Sequence, residues 1–177
     1  HDHIDKEGSK VASITGMINH LADYPEDCTG KKVVVVGGGA VGLDVVEYFA
    51  PKGAEVSIVE MMSQIGKDLD PVSKCGTNTL MREHNVNQMT ETALCEVKAD
   101  SFTVKVDGEE KDLPFDYGFV CLGMRANAPV LDEIREAFAD TNVEIINIGD
   151  SVRARRIIDG VQEGHNILNV LADHEYL

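Results

Sequence analysis

The sequence predicts an α/β domain, a doubly wound parallel sheet into which a small antiparallel β-meander is inserted. Two patterns carry that prediction. Apolar runs of β-branched residues, of which Val33 to Val36 is the purest, fill parallel strands that are covered on both faces. Between Thr92 and Leu113 the period changes to two, with Phe102, Val104 and Val106 alternating with Thr103, Lys105 and Asp107.

In chain order, residues 1 to about 30 read as a lead-in helix and linker. Val11, Ile14, Met17, Ile18 and Leu21 fall at helical spacing, and Tyr24-Pro25-Glu26-Asp27 breaks the pattern. The valine strand that follows stops at a glycine cluster. Gly37, Gly39 and Gly42 stand as G-x-G-x-x-G, and a helix follows with Val41, Val45 and Phe49 on one stripe and Gly42 and Val46 beside it. Pro51 and Gly53 close that helix, and Glu55 to Glu60 reads as a second strand. This β-α-β unit makes the fold Rossmann-like.

Each glycine has a physical task in such a unit. The first permits the tight turn, the second lets a pyrophosphate approach the backbone, and the third lets helix and strand pack closely. The anion would sit on the N-terminal turn made by Gly37, Gly38, Gly39, Ala40, Val41 and Gly42, where free N–H groups and the helix dipole favour negative charge. Glu60, 18 residues after Gly42, is placed to accept hydrogen bonds from the adenosine ribose hydroxyls. Met61-Met62-Ser63-Gln64 supplies no arginine for a 2′-phosphate, so NAD(H) is expected over NADP(H). The plainer alternative is a structural strand-to-helix turn. The agreement of strand, glycines, helix, second strand and terminal acid weighs against it.

Asp70-Pro71 looks like an N-cap followed by proline at the first helical position, opening a helix through about His84. Val86 to Met89 is a short strand, and Asp107-Gly108 marks a hairpin inside the meander. Phe119 to Leu122 returns to a buried strand ending on Gly123, with Arg125 and Asn127 after it. A glycine at a strand's carboxyl end lies where doubly wound sheets place ligands. Val143 to Ile148 reads as a strand ended by Gly149-Asp150, and Ile157 to Leu171 as an amphipathic helix on Ile158, Val161, His165, Leu168 and Leu171. Taken alone, Gly149-Asp150 is more readily a turn with a helix cap than a ligand site.

At 177 residues the chain can hold one good-sized domain, or one domain and pieces of another. With 43% apolar and 27% charged residues, and neither a transmembrane run nor a signal peptide, the expected setting is cytoplasmic, with no membrane partner. A formal charge of −15 opposes phosphate backbones, so no nucleic-acid partner is expected. The simpler account of that charge is a well-solvated surface. Cys28, Cys75, Cys95 and Cys121 form no C-x-x-C pair, and apart from His1 and His3 at the terminus the histidines are single, so free thiols and no metal are expected. The chain opens on His1 rather than methionine, which reads as a fragment or a processed chain.

The glycine fingerprint with Glu60, the hairpin insert, Cys121-Leu122-Gly123-Met124-Arg125, Ile148-Gly149-Asp150 and a helix containing Glu163-Gly164 follow one another in a familiar order. That order resembles the two-dinucleotide-fold flavoproteins of the pyridine nucleotide-disulfide oxidoreductase superfamily. Val59-Glu60-Met61 running on to Ile65-Gly66, and the phrase Cys-Leu-Gly-Met-Arg, are similar to the C-terminal part of old-yellow-enzyme-type 2-enoate and 2,4-dienoyl-CoA reductases. The resemblance covers roughly residues 31 to 172. It implies an NAD(H)-binding domain at 31–127 and the returning segment of an FAD-binding fold at 128–177.

By the same resemblance Gly37, Gly39, Gly42 and Glu60 hold NADH with Met61 beside them, Gly123 lies against the nicotinamide half, and Gly149 and Asp150 hold the FAD ribitol. The family's acid after the third glycine, often glutamate, is Asp44 here, one methylene shorter towards the nicotinamide amide. The sequence has no second G-x-G-x-x-G, redox-active cysteine pair, iron–sulfur cysteine cluster or barrel. The implied role is the NADH-binding domain of a larger FAD-dependent oxidoreductase, passing hydride to FAD for reduction of an enoate or dienoyl-CoA double bond. The alternatives are the NADH domain of an NADH oxidase or disulfide reductase, and a non-catalytic NAD-sensing module. This segment alone is expected to carry no catalytic residue, retain no flavin and show no turnover. Its remaining partners would be the FAD-binding and catalytic domains of the same polypeptide, and an exposed stripe on its last helix would invite a homodimer.

Overall fold

Successive side chains of a strand point to opposite faces, so an unbroken run of valines needs an apolar layer on each side. The strand Lys32–Val36 has both. Val33 and Val35 join a core with Phe49, Ile58, Met81 and Phe119, while Val34 and Val36 join a second core with Phe102, Val104, Leu113 and Phe115. The computed structural model of this protein describes residues 3–124, 126, 128–143, 145–167 and 169. These fall into two compact units that divide between Leu122 and Gly123.

The first unit runs β1 (Val11–Ala12), α1 (Ile14–Asn19), β2 (Lys32–Val36), α2 (Ala40–Phe49), β3 (Glu55–Val59), α3 (Pro71–Glu83), β4 (Asn87–Met89), β5 (Ala93–Val97), β6 (Ser101–Val106), β7 (Glu109–Pro114) and β8 (Tyr117–Val120). Five strands form a parallel sheet in the order β1-β8-β2-β3-β4, and β5-β6-β7 form an antiparallel meander. α2 and α3 contribute to the core on one face of the parallel sheet, and the meander supplies the layer on the other. Its hairpin is made by Asp107 (φ 52°) and Gly108 (φ 90°), the pair of left-handed residues that a tight antiparallel turn requires. α3 starts where Asp70 accepts hydrogen bonds from the N–H groups of Val72 and Ser73, with Pro71 at the first helical position.

The lead-in departs from its expected form. Val11 was placed on a helix by spacing, yet it is buried in β1 and pairs in parallel with Gly118 of β8. The helix begins only at Ile14, because Ser13 caps it: the Ser13 Oγ accepts from the Gly16 N–H at 3.1 Å. Of the expected stripe Met17 is buried, whereas Ile18 and Leu21 are exposed.

The second unit contains α4 (Ala128–Ala137), a short 3-10 turn at Gly149–Ser151 and α5 (Ile157–His165). The strand expected over 143–148 does not form among its described residues, which have no ladder partner to pair with. α5 stops at His165, where Asn166 donates its N–H to the Gln162 carbonyl. Leu168, Leu171, Arg125 and Asn127 lie outside the described residues. Ile157, Ile158 and Val161 of α5 are exposed.

Phe49 is fully buried, with ring centroids 5.2 Å from both Tyr24 and Phe119 and a stacked contact to Tyr117. Phe49→Ala should lower the unfolding free energy by about 3–5 kcal/mol, read as a shift in denaturant midpoint. A loss under about 1 kcal/mol would mean that this cluster is not the packing centre of the helix-covered face.

Candidate dinucleotide-binding site

In an open parallel sheet, the place where strand order reverses leaves a crevice at the carboxyl ends, because neighbouring loops leave on opposite sides. Here the reversal lies at β2, which has β3 on one side and β8 on the other. Gly37 follows β2 immediately. It donates its N–H to the Val59 carbonyl at 2.8 Å and has φ 112°, open to glycine and strained for other residues. A Cβ there would overlap the carbonyl oxygen of Cys121, whose own N–H is held by Val36 at 2.7 Å. A Cβ on Gly42 would overlap the Gly37 carbonyl oxygen, so the first turn of α2 closes directly on the loop.

Gly39 differs from both. No atom lies within 4 Å of its Cβ position. It is the N-cap of α2 with extended backbone (φ −79°, ψ −177°) and provides no capping side chain. The N–H groups of the first helical turn, Ala40 and Val41 among them, therefore have no intrahelical acceptor and face an open approach.

Glu60 stands just beyond β3 and is half-buried. Its Oε2 accepts from the Gly38 N–H at 2.7 Å and its Oε1 from the Met62 N–H at 2.8 Å. Gly38 is gripped from the other end as well, since its carbonyl accepts from the Gly66 N–H at 2.7 Å. Met61, next to the acid, is 70% exposed. Asp44 is exposed on α2, and desolvation by its surroundings holds its carboxyl above the usual carboxylate range. Cys121 is buried; burial, assisted by the negative charge of Asp44, pushes its thiol up to about 12. It is a protonated thiol at neutral pH and no nucleophile.

The structure thus gathers Gly37, Gly38, Gly39, Ala40, Val41, Gly42, Glu60 and Met61 at the carboxyl ends of β2 and β3. Gly123, Gly149 and Asp150 belong to the second unit. There the Gly149 N–H donates to Glu163 Oε2 at 2.6 Å, Arg155 bonds the other oxygen of Glu163, and the Arg155 N–H donates to Asp150 Oδ1 at 3.2 Å. Asp150 therefore sits on a turn that two residues of the following segment hold in place. Sequence reasoning missed the anchoring roles of Gly66, Arg155 and Glu163, because main-chain bonds between distant segments leave no mark in residue spacing. Among the described residues no group of three or more potential metal ligands occurs, and the four cysteines are free.

The family model for pyridine nucleotide-disulphide oxidoreductases matches residues 4–150. The chain belongs to that family. Relatives include an NADH oxidase of Thermoanaerobacter brockii, 30% identical over 92% of this chain and 24% of the relative, and a bilirubin reductase of Mediterraneibacter gnavus, 31% identical over 93% and 25%. The chain spans about a quarter of the length of these relatives. A solved 2-naphthoyl-CoA reductase superposes with a TM-score of 0.68 at 23% identity, covering 91% of this chain and 23% of that one, a likeness of fold. Among the described residues of this family member no helix is long and apolar enough to cross a membrane.

The glycine geometry separates two substitutions. Gly42→Ala should cost about 1–3 kcal/mol by overpacking, whereas Gly39→Ala, which meets open space and loses only the N-cap preference for glycine, should cost less than about 1 kcal/mol, both read from denaturant midpoints. In the second unit, the Gly149 N–H and then Arg155 hold the Glu163 carboxyl below its ordinary value. A lowered folded value means that the contact stabilises the turn above the ordinary glutamate pKa of about 4.3 and is lost as pH falls through the lowered value. Protection of the Gly149 amide from hydrogen exchange should follow that course, and a flat profile would remove Glu163 as its anchor.

Proposed function

We propose that this chain is the NADH-binding part of a larger FAD-dependent oxidoreductase, in which it positions NADH to pass hydride to FAD. The observation that carries the reading is the uncapped N-terminus of α2 at Gly39, open to approach, with the Glu60 carboxylate beside it. Gly39 gives a pyrophosphate room, and the first-turn N–H groups supply its counter-charge without a lysine or arginine. Glu60 has lone pairs left on each oxygen after its two main-chain bonds, so it can also accept from the ribose hydroxyls. When bound, the nicotinamide supplies the hydride.

For FAD, the residues present fit the ribitol end: Gly149 in a left-handed turn (φ 71°) and an exposed Asp150 carboxylate beside it, held by Arg155 and Glu163. In the full protein, reduction of an enoate or dienoyl-CoA double bond is the reading favoured by the sequence phrases around Glu60 and Cys121. An NADH oxidase is the second reading, favoured by the T. brockii relative aligned over 92% of this chain. The formal charge of −15 weighs against nucleic acid as a partner, and this reading takes NADH and the remaining domains of the polypeptide as its partners, in a cytoplasmic setting.

Titration of NADH fluorescence tests the reading. The chain should bind NADH more tightly than NADPH, and Gly39→Val should abolish binding while the circular dichroism stays native. Equal affinities for the two cofactors, or unchanged binding by Gly39→Val, would overturn it.

A further inference from the structure

Of the six methionines, Met17 and Met81 are buried and Met89 packs against the meander core, whereas Met61, Met62 and Met124 are exposed. Met61 is the most open of them, 70% exposed, and it directly follows the acid of the candidate site. The main chain on both sides of it is pinned. Before it, the Glu60 N–H donates to the Met89 carbonyl at 2.8 Å and the Glu60 carbonyl accepts from Thr92 at 3.0 Å. After it, the Met62 N–H donates to Glu60 Oε1 at 2.8 Å and the Met62 carbonyl accepts from Glu91 at 3.0 Å. The Met61 side chain thus stands in solvent on a backbone that cannot carry it away from Glu60. The thiol beside the glycine turn, Cys121, is buried and protonated, so it does not compete for an electrophilic oxidant.

We propose that Met61 is a peroxide-reactive site whose oxidation to the sulfoxide weakens dinucleotide binding beside Glu60. This rests on the reading that Glu60 receives the adenosine ribose. In the step, a lone pair of the Met61 sulfur attacks one oxygen of hydrogen peroxide. The sulfur–oxygen bond forms, the oxygen–oxygen bond breaks, and the second oxygen leaves as water with both protons. Sulfur is oxidised and the peroxide reduced. An apolar side chain that a bound adenosine can cover becomes a polar one that needs a donor. The N–H groups of Gly38 and Met62 cannot serve it, because Glu60 already holds them, and the Glu60 carboxylate is itself an acceptor only. Covering the sulfoxide therefore strips its water without replacement.

Peptide mass spectrometry after treatment with hydrogen peroxide should find added oxygen at Met61 while Met17 and Met81 stay unmodified. By NADH fluorescence titration the treated chain should bind about tenfold more weakly, the scale of one polar group covered without a partner. Dithiothreitol alone, which reduces oxidised forms of the exposed Cys75 and Cys95, should leave that loss in place. The two methionine sulfoxide reductases, one for each sulfoxide epimer, should reverse it. Peroxide should leave the affinity of Met61→Leu where it started, whatever that value, and should weaken Met62→Leu and Met124→Leu as it weakens wild type.

Oxygen on Met61 without loss of affinity, the same loss in Met61→Leu as in wild type, or protection by Met62→Leu instead would overturn the proposal and leave the cofactor reading standing. So would oxygen appearing on Met17 and Met81 as readily as on Met61. An untreated chain that binds no NADH would overturn both.

Discussion

Three elements meet at one residue without a side chain. Gly37 receives the end of β3 through its N–H, lies against the last carbonyl beyond β8 where its Cβ would be, and presents its own carbonyl to Gly42 of α2. Each contact is backbone to backbone, so none can adjust by a rotamer change. The crevice, the helix N-terminus and the spacing of β2 from β8 all inherit their geometry from that junction. A side chain at Gly37 would part β8 from β2, and one at Gly42 would lift α2 off the loop.

The alternating burial of β2 supports the junction from below. Because Val33 and Val35 face the helical layer while Val34 and Val36 face the meander, the strand cannot shift by one residue without exchanging two complete cores. The meander is thus more than an insertion in a loop. Phe102, Val104 and Leu113 supply the second layer that a parallel sheet needs, a task often given to helices. Lys32 and Asp116 complete the register at the other end: the Lys32 N–H donates to Asp116 Oδ2 at 2.9 Å, and the Asp116 N–H returns to the Lys32 carbonyl at 2.8 Å.

What could be read from the sequence was what local chemistry determines. Gly37 and Gly42, the Asp70-Pro71 helix start and the Asp107-Gly108 hairpin each follow from a backbone demand that only a few residue types meet, and each stands where it was expected. β1 was misread because two residues carry no period, and its identity depends on a partner at Gly118 and Phe119. The apolar run at 143–148 was misread for the reverse reason, since β-branched residues signal a strand even where, among the described residues, nothing pairs with it. α4 was overlooked although Pro129 near its start and Val130, Ile134 and Phe138 at four-residue steps mark one side of a helix. At the site, the sequence located the acid Glu60 but not its hydrogen bonds. The N–H groups of Gly38 and Met62 belong to no pattern of side chains, so only the folded backbone shows that the acid is anchored.

The register between Lys32 and Asp116 joins residues 84 positions apart, whereas β2, α2, β3 and β4 are near neighbours along the chain. Closing so long a loop has an entropic cost that the local β-α-β unit avoids, so high contact order is concentrated in the docking of β8. The wall of the crevice formed by Cys121 depends on that long-range pairing, whereas the glycine turn and Glu60 belong to the local unit. Pairing β8 with β2 and placing the Cys121 wall beside the glycine turn are therefore one and the same long-range contact, made where the Cys121 N–H meets the Val36 carbonyl.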